Sequence, residues 1–165
     1  MARQLPVVSP DVELREPREA DWPAILTLAN QSVQTVPGAG SQEEWLHNRQ
    51  RASAPGRHFV AVETDVLVGY AAVEPQLDRV EPGFRLFLVA SPERLARVGL
   101  VLYGKLESLL AELHAAEAWL IEYASDLGFL AFLAERGFQE VRRFRTKEEV
   151  ECVVVSKRLD ESRRA

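Results

Sequence analysis

Two arginines near the middle of the chain have the spacing and setting of a phosphate-binding turn. Arg94 and Arg97 follow residues 84–89, a mostly apolar run that predicts a buried strand. They stand beside apolar residues at helical spacing, which are Val98, Leu102, Leu106, Leu109 and Leu113. A helix start offers unpaired backbone N–H groups and the positive end of the helix dipole. Cations there are unfavourable by roughly 0.3–1 kcal/mol each unless an anion is close. The pattern therefore predicts a turn that binds phosphate groups.

The residues just before the arginines allow a second conformation. Ser91 at an N-cap with Pro92 at the first helical position is a good helix start. If the helix begins there, Leu95 and Ala96 lie in helical turns and the open phosphate loop is lost. The sequence leaves both conformations open.

A mixed sheet is predicted to position this turn, because strand and helix patterns alternate along the chain. The predicted strands are 12–16, 58–62, 66–73, 84–89, 117–124, 138–145 and 150–157. The predicted helices are 19–33, one that opens at Ser41, the main helix through Leu113, and 126–136. The main helix crosses between the fourth and fifth strands, and residues 63–65 predict a hairpin turn. In the last helix the spacing turns Leu127, Leu130 and Leu133 or Ala134 inward.

The composition is that of a globular protein and excludes several classes of partner. The chain has 165 residues, enough for one domain over residues 1–165 with a full core, and we expect loose ends at 1–10 and 158–165. Its net charge of −5 argues against a nucleic-acid partner. Because we find no membrane-spanning run and no signal-peptide pattern, we expect a cytoplasmic protein without a membrane partner.

The cysteine and histidine content predicts no metal site. Cys152 is the single cysteine and lies in an apolar strand, so we expect a buried core thiol and no internal disulfide. His47, His58 and His114 are scattered and have no cysteine or carboxylate at ligand spacing.

The segment around the arginines resembles the acetyl-CoA motif of the GNAT N-acetyltransferases. Laid on it without gaps, Val89 matches the valine at the strand end, Arg94 the Gln or Arg of Q/R-x-x-G-x-G/A, and Gly99 the last small residue. Arg97 stands where the first glycine is expected. The likeness covers nearly the whole chain. The chain also resembles one half of the tandem two-domain GNAT proteins.

The resemblance extends to both ends of the chain. Residues 12–15, with Asp21 six residues after Arg15, resemble the first strand and the start of the first helix of that family. Residues 129–138 resemble its last helix and the Gly-Phe that follows. The implied fold is the GNAT fold, an α/β (α+β) class with a mixed, mostly antiparallel sheet of six to seven strands flanked by about four helices.

The implied activity is direct transfer of acetyl from acetyl-CoA, as cosubstrate, to a primary amine of a small molecule or peptide. The alternative is a degenerate member without catalysis that works as a binding or interaction module. A third possibility is a structural partner that pairs through its exposed sheet edge, and the resemblance also allows a homodimer.

The resemblance assigns a set of residues to coenzyme binding. They are Leu88, Val89, Arg94, Leu95, Ala96, Arg97, Val98, Gly99, Leu100 and Asp126. The backbone N–H of Val89 would face the thioester carbonyl as an oxyanion donor, its alternative being an ordinary ladder hydrogen bond. Arg97 either binds a phosphate oxygen through its guanidinium or narrows the phosphate-binding turn with its side chain and weakens binding. Asp126 lies where the family often has an asparagine that contacts the pantetheine.

Deprotonating an amine of pKa near 10 calls for a base, and three carboxylates are candidates. Glu122 interrupts an apolar run, and the two-residue period of a strand places it opposite Trp119, Ile121 and Tyr123. Glu74 ends the third predicted strand, and Glu81 precedes the fourth. Each has the alternative role of a solvated or ion-paired carboxylate.

The acid for the departing thiolate is less clear. The family commonly has a tyrosine four residues before the glycine of Gly-Phe, and here that residue is Leu133. Tyr123, Tyr103 or water would have to replace it. Acceptor specificity is expected in residues 34–53 and 76–83. There Trp45, His47 and Asn48 are candidate contacts, or simply parts of a helix packed on the sheet.

Overall fold

The computed structural model describes residues 12–29, 57–75 and 83–159. Seven strands form one sheet in the order β1-β2-β3-β4-β5-β7-β6. The strands are β1 Val12–Arg15, β2 His58–Glu63, β3 Val66–Pro75, β4 Phe84–Ala90, β5 Glu117–Tyr123, β6 Gln139–Arg145 and β7 Glu151–Arg158. Every neighbouring pair is antiparallel except β4 and β5, which are parallel. The predicted fold class, a mixed and mostly antiparallel sheet, is confirmed.

Three α-helices lie in the described part of the chain. They are α1 Trp22–Ala29, α2 Leu100–Glu112 and α3 Leu127–Glu135. A short 3-10 turn, Glu19–Asp21, precedes α1. The helix count is therefore slightly below the four predicted. The helix expected to open at Ser41, with Trp45, His47 and Asn48, and the candidate base Glu81 lie outside the described residues.

The parallel pairing of β4 and β5 is very short. It consists of Phe84 opposite Ala118 and Arg85 opposite Trp119, after which the two strands part. β4 continues to Ala90 in register with β3, so its other edge has no strand partner beyond Arg85. The sheet is therefore split between its fourth and fifth strands.

Gly83 brings the starts of β4 and β5 together. Its φ is +92°, and a Cβ at this position would lie 2.3 Å from the carbonyl oxygen of Glu117, the first residue of β5. Only glycine combines this backbone conformation with such a close approach. The point from which the two strands separate is therefore held by backbone contact.

The core lies on both faces of the sheet. One face, here called the helical face, packs against α2 and α3 and carries Leu86, Leu88, Leu120 and Val153. The other, the α1 face, is covered in part by α1. The α1 face carries Tyr70, Phe87 and Val89 beside α1, and Trp119, Ile121, Cys152 and Val154 on the far strands. Cys152 is fully buried as a free thiol, as predicted.

One detail of the last helix was predicted wrongly. Leu127 is 73% exposed, and the fully or nearly buried residues of α3 are Phe129, Phe132 and Leu133. Leu133 is buried as predicted, but the two phenylalanines bury more apolar area than Leu127 would, and this sets the rotation of the helix.

The start of α1 is fixed by a local ion pair. Arg15 Nη1 donates to Asp21 Oδ2 at 2.7 Å, and the backbone N–H of Arg18 donates to the same oxygen at 2.6 Å. These hydrogen bonds, that from Arg15 first, hold the pKa of Asp21 below its usual value. The pair ties the end of β1 to the turn before α1.

The predicted hairpin between β2 and β3 is confirmed. Thr64 and Asp65 form its turn with φ of 51° and 65°, the left-handed pair of a type I′ turn. The hairpin places Glu63, the last residue of β2, opposite Val66.

At the far edge of the sheet, β6 is exposed along nearly its whole length. Its pairing with β7 is interrupted between Glu140 and Arg142, where Val141 bulges out. Three arginines, Arg142, Arg143 and Arg145, follow the bulge. No helix within the described residues is long and apolar enough to cross a membrane.

Two glycine substitutions test the contact between β4 and β5. We expect Gly83→Ala to lower the free energy of unfolding by about 2–4 kcal/mol, because the new methyl group meets the Glu117 backbone at a strained φ. Gly104→Ala is the matched control, since a Cβ there meets nothing within 4 Å. It lies inside α2, so we expect a gain of about 0.5–1 kcal/mol. Urea unfolding measures both, and equal effects would contradict this account of Gly83.

Candidate functional site

A pocket of about 160 Å³ lies where β4 and β5 separate. The residues that line it are Leu28, Leu88, Val89, Ala90, Pro92, Leu95, Glu122, Asp126, Gly128 and Phe129. Among the described strands none pairs with β4 on this side beyond Arg85, and Leu88, Val89 and Ala90 of β4 line the pocket.

The pocket runs through the sheet from one face to the other. Leu28 comes from α1 on one face, whereas Leu95 and Phe129 belong to elements packed on the helical face. Val89, whose side chain is on the α1 face, and Leu88, whose side chain is on the helical face, both line it. A ligand that enters from the helical face can therefore meet a second ligand from the α1 face.

Glu122 is the buried carboxylate of this pocket. Its side chain is 2% exposed and lies on the opposite face of β5 from Trp119 and Ile121, as the strand period predicted. Its Oε1 accepts a hydrogen bond of 3.4 Å from the backbone N–H of Tyr123. Burial first, and then the nearby Glu122 charge, raise the pKa of Cys152.

The candidate acids lie elsewhere. Tyr123 projects from the α1 face of β5 and packs with Trp119, Ile121 and their neighbours, so it does not line the pocket. Tyr103 is buried in α2, where Lys157 Nζ donates to its hydroxyl at 3.3 Å, and burial raises its pKa. Leu133 is fully buried in the core. Among the described residues the pocket has no tyrosine, and Tyr123 lies on the face of Trp119 and Ile121, as the strand period predicted.

The segment that contains Arg94 and Arg97 is helical and does not form an open loop. Ser91 is extended, Pro92–Arg94 form a 3-10 turn, and Leu95–Gly99 form a π-helical turn that leads into α2. The N–H of Arg94 donates to Ser91 O at 3.0 Å, and the N–H of Leu95 donates to Pro92 O. The helical alternative raised by Ser91 and Pro92 is thus the one observed, and these two backbone donors are already used.

Both arginines hold the same carboxylate. Arg94 Nε donates to Glu63 Oε1 at 3.3 Å, while Arg97 Nη1 and Nη2 donate to Glu63 Oε2 and Oε1 at 2.5 and 3.3 Å. The hydrogen bonds from Arg97, and then those from Arg94, hold the pKa of Glu63 below its usual value. The anion that the arginines were predicted to need is supplied from within the chain by the β2–β3 hairpin.

The other residues assigned to coenzyme binding fall into two groups. Leu88, Val89, Leu95 and Asp126 line the pocket. Ala96 and Leu100 are exposed, whereas Val98 and Gly99 are buried. A Cβ on Gly99 would lie 2.8 Å from Leu95 Cδ1 and 3.4 Å from Phe132 Cζ, so glycine there lets the winding segment pack on α3.

Asp126 has a defined structural role. It is the N-cap of α3, and its Oδ1 accepts a hydrogen bond of 3.2 Å from the N–H of Phe129. The cap turns one edge of the carboxylate toward the helix start, and the residue also lines the pocket.

Glu74 lies away from the pocket. It is 4% exposed and stands directly opposite Arg85 on the α1 face. Among the described residues no three His, Cys, Asp or Glu side chains are grouped so as to hold a metal ion.

Solved structures with the same fold are numerous and distant in sequence. The ribosomal-protein-alanine N-acetyltransferase of Brucella melitensis is 23% identical, with a TM-score of 0.67 over 89% of this chain and 99% of that one. Salmonella typhimurium yncA with its cofactor acetyl-CoA is 15% identical, with a TM-score of 0.67 over 92% and 95%. Arabidopsis thaliana Naa50, in complex with the bisubstrate analogue CoA-Ac-MVNAL, is 17% identical, with a TM-score of 0.67 over 90% and 99%.

These likenesses show that the chain has the fold of the GNAT superfamily, as its sequence resemblance predicted. A scan of protein-family models finds no match to the sequence, and neither does a search of curated proteins.

Sequence reasoning missed several residues of the site, which are Glu63 beside the arginines and Leu28, Ala90, Pro92, Gly128 and Phe129 in the pocket wall. Glu63 and Leu28 belong to elements remote in sequence from the arginines and Glu122, and neither carries a motif. The one available signal was the unmatched positive charge of Arg94 and Arg97, which required an anion without naming it.

Asp126 offers a stability test of the site. We expect Asp126→Ala to lower the free energy of unfolding by about 0.5–2 kcal/mol, because the N–H of Phe129 loses its acceptor. Asp126→Asn keeps a capping oxygen and should change it by only a few tenths of a kcal/mol. Denaturant melts of the two variants check this, and an equal loss in both would show that the carboxylate charge, and not the cap, matters.

Proposed function

We propose that the protein is an N-acetyltransferase that moves acetyl from acetyl-CoA to a primary amine. The observation that carries the proposal is the split between β4 and β5, with a pocket that passes through it and a buried carboxylate in its wall. Neighbours of the same fold include a structure with acetyl-CoA and one with a CoA-peptide bisubstrate analogue, which supports the assignment.

The residues of the split fit a coenzyme A arm. Acetyl-CoA, when bound, supplies an activated acetyl thioester. β4 and β5 do not pair beyond Arg85, and an amide-containing pantetheine could lie between them along β4 like a further strand. The Val89 N–H would stabilise the developing oxyanion. Leu88, Leu95 and Phe129 would exclude water.

Glu122 is the proposed general base. It is buried, lines the pocket and is an acceptor-only group when ionised. It would take the proton of the acceptor ammonium, directly or through a water. The departing thiolate would take its proton from water, because the pocket residues offer no tyrosine.

The two arginines of the predicted phosphate-binding turn already bind the carboxylate of Glu63. Arg94 and Arg97 can bind a pyrophosphate only if their hydrogen bonds to Glu63 are exchanged for bonds to phosphate oxygens. Phosphate carries more charge than a carboxylate and accepts bidentate bonds from arginine, so the exchange is chemically reasonable. Glu63 thus acts as an internal competitor.

That competition also favours the second candidate, a binding module that has lost catalysis. The Glu63 pairing, Arg97 in the place of a glycine, and Leu133 in the place of a tyrosine all weaken the expected site. Measured coenzyme affinity separates the two functions.

Calorimetric titration with acetyl-CoA and with CoA is the first test. We expect saturable binding in the micromolar range, weakened about tenfold or more by Arg94→Ala because a charge-assisted bond is lost. Arg97→Gly should not abolish binding. Glu63→Gln should strengthen it, because the neutral amide competes poorly for the arginines.

Two results would contradict the arrangement. No binding at millimolar ligand would favour the non-catalytic module. If the protein binds acetyl-CoA and its affinity is unchanged in Arg94→Ala, Arg97→Gly and Glu63→Gln, then the arginines do not bind the phosphates.

The base is tested separately. We expect Glu122→Gln to lower kcat by about 10²–10⁴ with an accepted amine, while the Kd for acetyl-CoA stays close to that of the wild type. Glu112→Gln, on an exposed side of α2, is the matched control. Steady-state rates with a free-thiol readout measure this, and full activity in Glu122→Gln would assign the base elsewhere.

A further inference from the structure

Three polar residues form a row across the α1 face of the sheet. Glu74 of β3 stands directly opposite Arg85 of β4, and Arg85 stands directly opposite Trp119 of β5. Directly opposed residues on neighbouring strands lie about 4.5–5.5 Å apart at Cβ, so the three side chains are adjacent. The row combines a carboxylate, a guanidinium and an indole N–H.

The row is placed in a largely apolar setting. Glu74 is 4% exposed and Trp119 is 6% exposed, while Arg85 is only partly buried. The guanidinium carbon of Arg85 lies 4.5 Å from the ring centre of Phe87 and 5.4 Å from that of Trp119. Such rings hold a guanidinium in a fixed orientation.

Trp119 carries a donor with no acceptor. Its Nε1 is buried and makes no hydrogen bond in the described structure. A buried N–H without a partner is costly, and groups of this kind in native proteins mark an unseen partner. A carboxylate beside Arg85 would give the indole N–H an acceptor, and the same carboxylate could also accept from the guanidinium, since both groups are donors.

The row also has a defined position relative to the pocket. It is the last paired row before β4 and β5 separate. Val89 lies four residues farther along β4 and faces the same side as Arg85, which corresponds to roughly 13 Å. The pocket reaches this side, since Leu28 of α1 forms part of its wall.

We propose that the row Glu74, Arg85 and Trp119 binds the amino acid head group of the acceptor, so that the acceptor is a diamino carboxylate acetylated on its distal amine. Arg85 and Trp119 Nε1 bind the carboxylate, and Glu74 binds the α-ammonium. This rests on the proposed function, and gives Glu74 a binding role in place of a catalytic one.

The distance along β4 between Arg85 and Val89 determines the length of acceptor that fits. Subtracting about 3 Å for the contact at each end leaves roughly 7 Å between the head group and the reacting nitrogen. That distance suits a chain of about four carbons, the length of a lysine stem. The distal nitrogen forms a bond to the acetyl carbon as the carbon–sulfur bond breaks. One proton of the ammonium passes to Glu122, and the second proton that the nitrogen loses on becoming an amide reaches the thiolate through water.

Binding of small amines to the protein tests the head group without any reaction. The probes are lysine, cadaverine, which lacks the carboxylate, and 6-aminohexanoate, which lacks the α-amine. We expect lysine to bind at least tenfold more tightly than either, by calorimetry and by tryptophan fluorescence, with and without CoA. Equal binding of lysine and cadaverine would overturn the proposal.

The variants assign the contacts. Arg85→Met should lower the affinity for lysine to the affinity for cadaverine. Glu74→Gln should lower the affinity for lysine to the affinity for 6-aminohexanoate. Trp119→Phe keeps the ring and should weaken lysine about threefold or more while leaving cadaverine unchanged. Thermal unfolding and acetyl-CoA titration of each variant show that fold and coenzyme site are intact.

The same measurements separate the two proposals. If the protein binds acetyl-CoA and acetylates peptide N-termini or simple amines as readily as lysine, the head-group site is wrong and the acetyltransferase assignment stands. If lysine binds through these residues but acetyl-CoA does not, the head-group site stands and the acetyltransferase assignment fails.

Discussion

The early separation of β4 from β5 is the constraint on which the rest of the site depends. Gly83 presses the start of β4 against Glu117, two pairs of residues align, and the strands then diverge. An unpaired strand edge inside a sheet is normally avoided, since each buried backbone group without a partner costs free energy. Here α2 and α3 cover one face of the sheet and α1 covers part of the other, so the edge of β4 that leaves β5 is sheltered beside the pocket. The fold thus leaves β4 unpaired with β5 at the point where the pocket lies.

Electrostatics at the site are arranged in two separate pairs. Arg94 and Arg97 are balanced by Glu63 on the outside of the sheet, and Arg85 stands beside Glu74 on the α1 face. Each pair places a cation where an anionic ligand group is proposed, with a carboxylate already next to it. Such a carboxylate keeps the empty site compatible with its apolar surroundings. It also sets a threshold, because a weakly charged ligand cannot displace it.

The sequence was informative wherever the deciding interactions are local. Strand alternation placed Glu122 opposite Trp119, the helical repeat from Val98 to Leu109 identified the buried side of α2, and Thr64-Asp65 marked the hairpin. It failed where partners are distant along the chain. Glu63 lies 31 and 34 residues from the arginines it binds. Tyr123 does not line the pocket that contains Glu122, because successive residues of a strand face opposite sides of the sheet.

The order of strands in the sheet has a consequence for synthesis of the chain. β7 is made after β6, yet it is inserted between β5 and β6. Until residues 151–158 are available, the long edge of β5 and its buried residues Ala118 to Ile121 are uncovered. Exposed strand edges of this kind template association with other chains. The bulged, arginine-rich β6 resists such pairing, whereas β5 does not. The nascent protein is therefore most vulnerable to association just before β7 leaves the ribosome, and a chain truncated after β6 would be a target for chaperones.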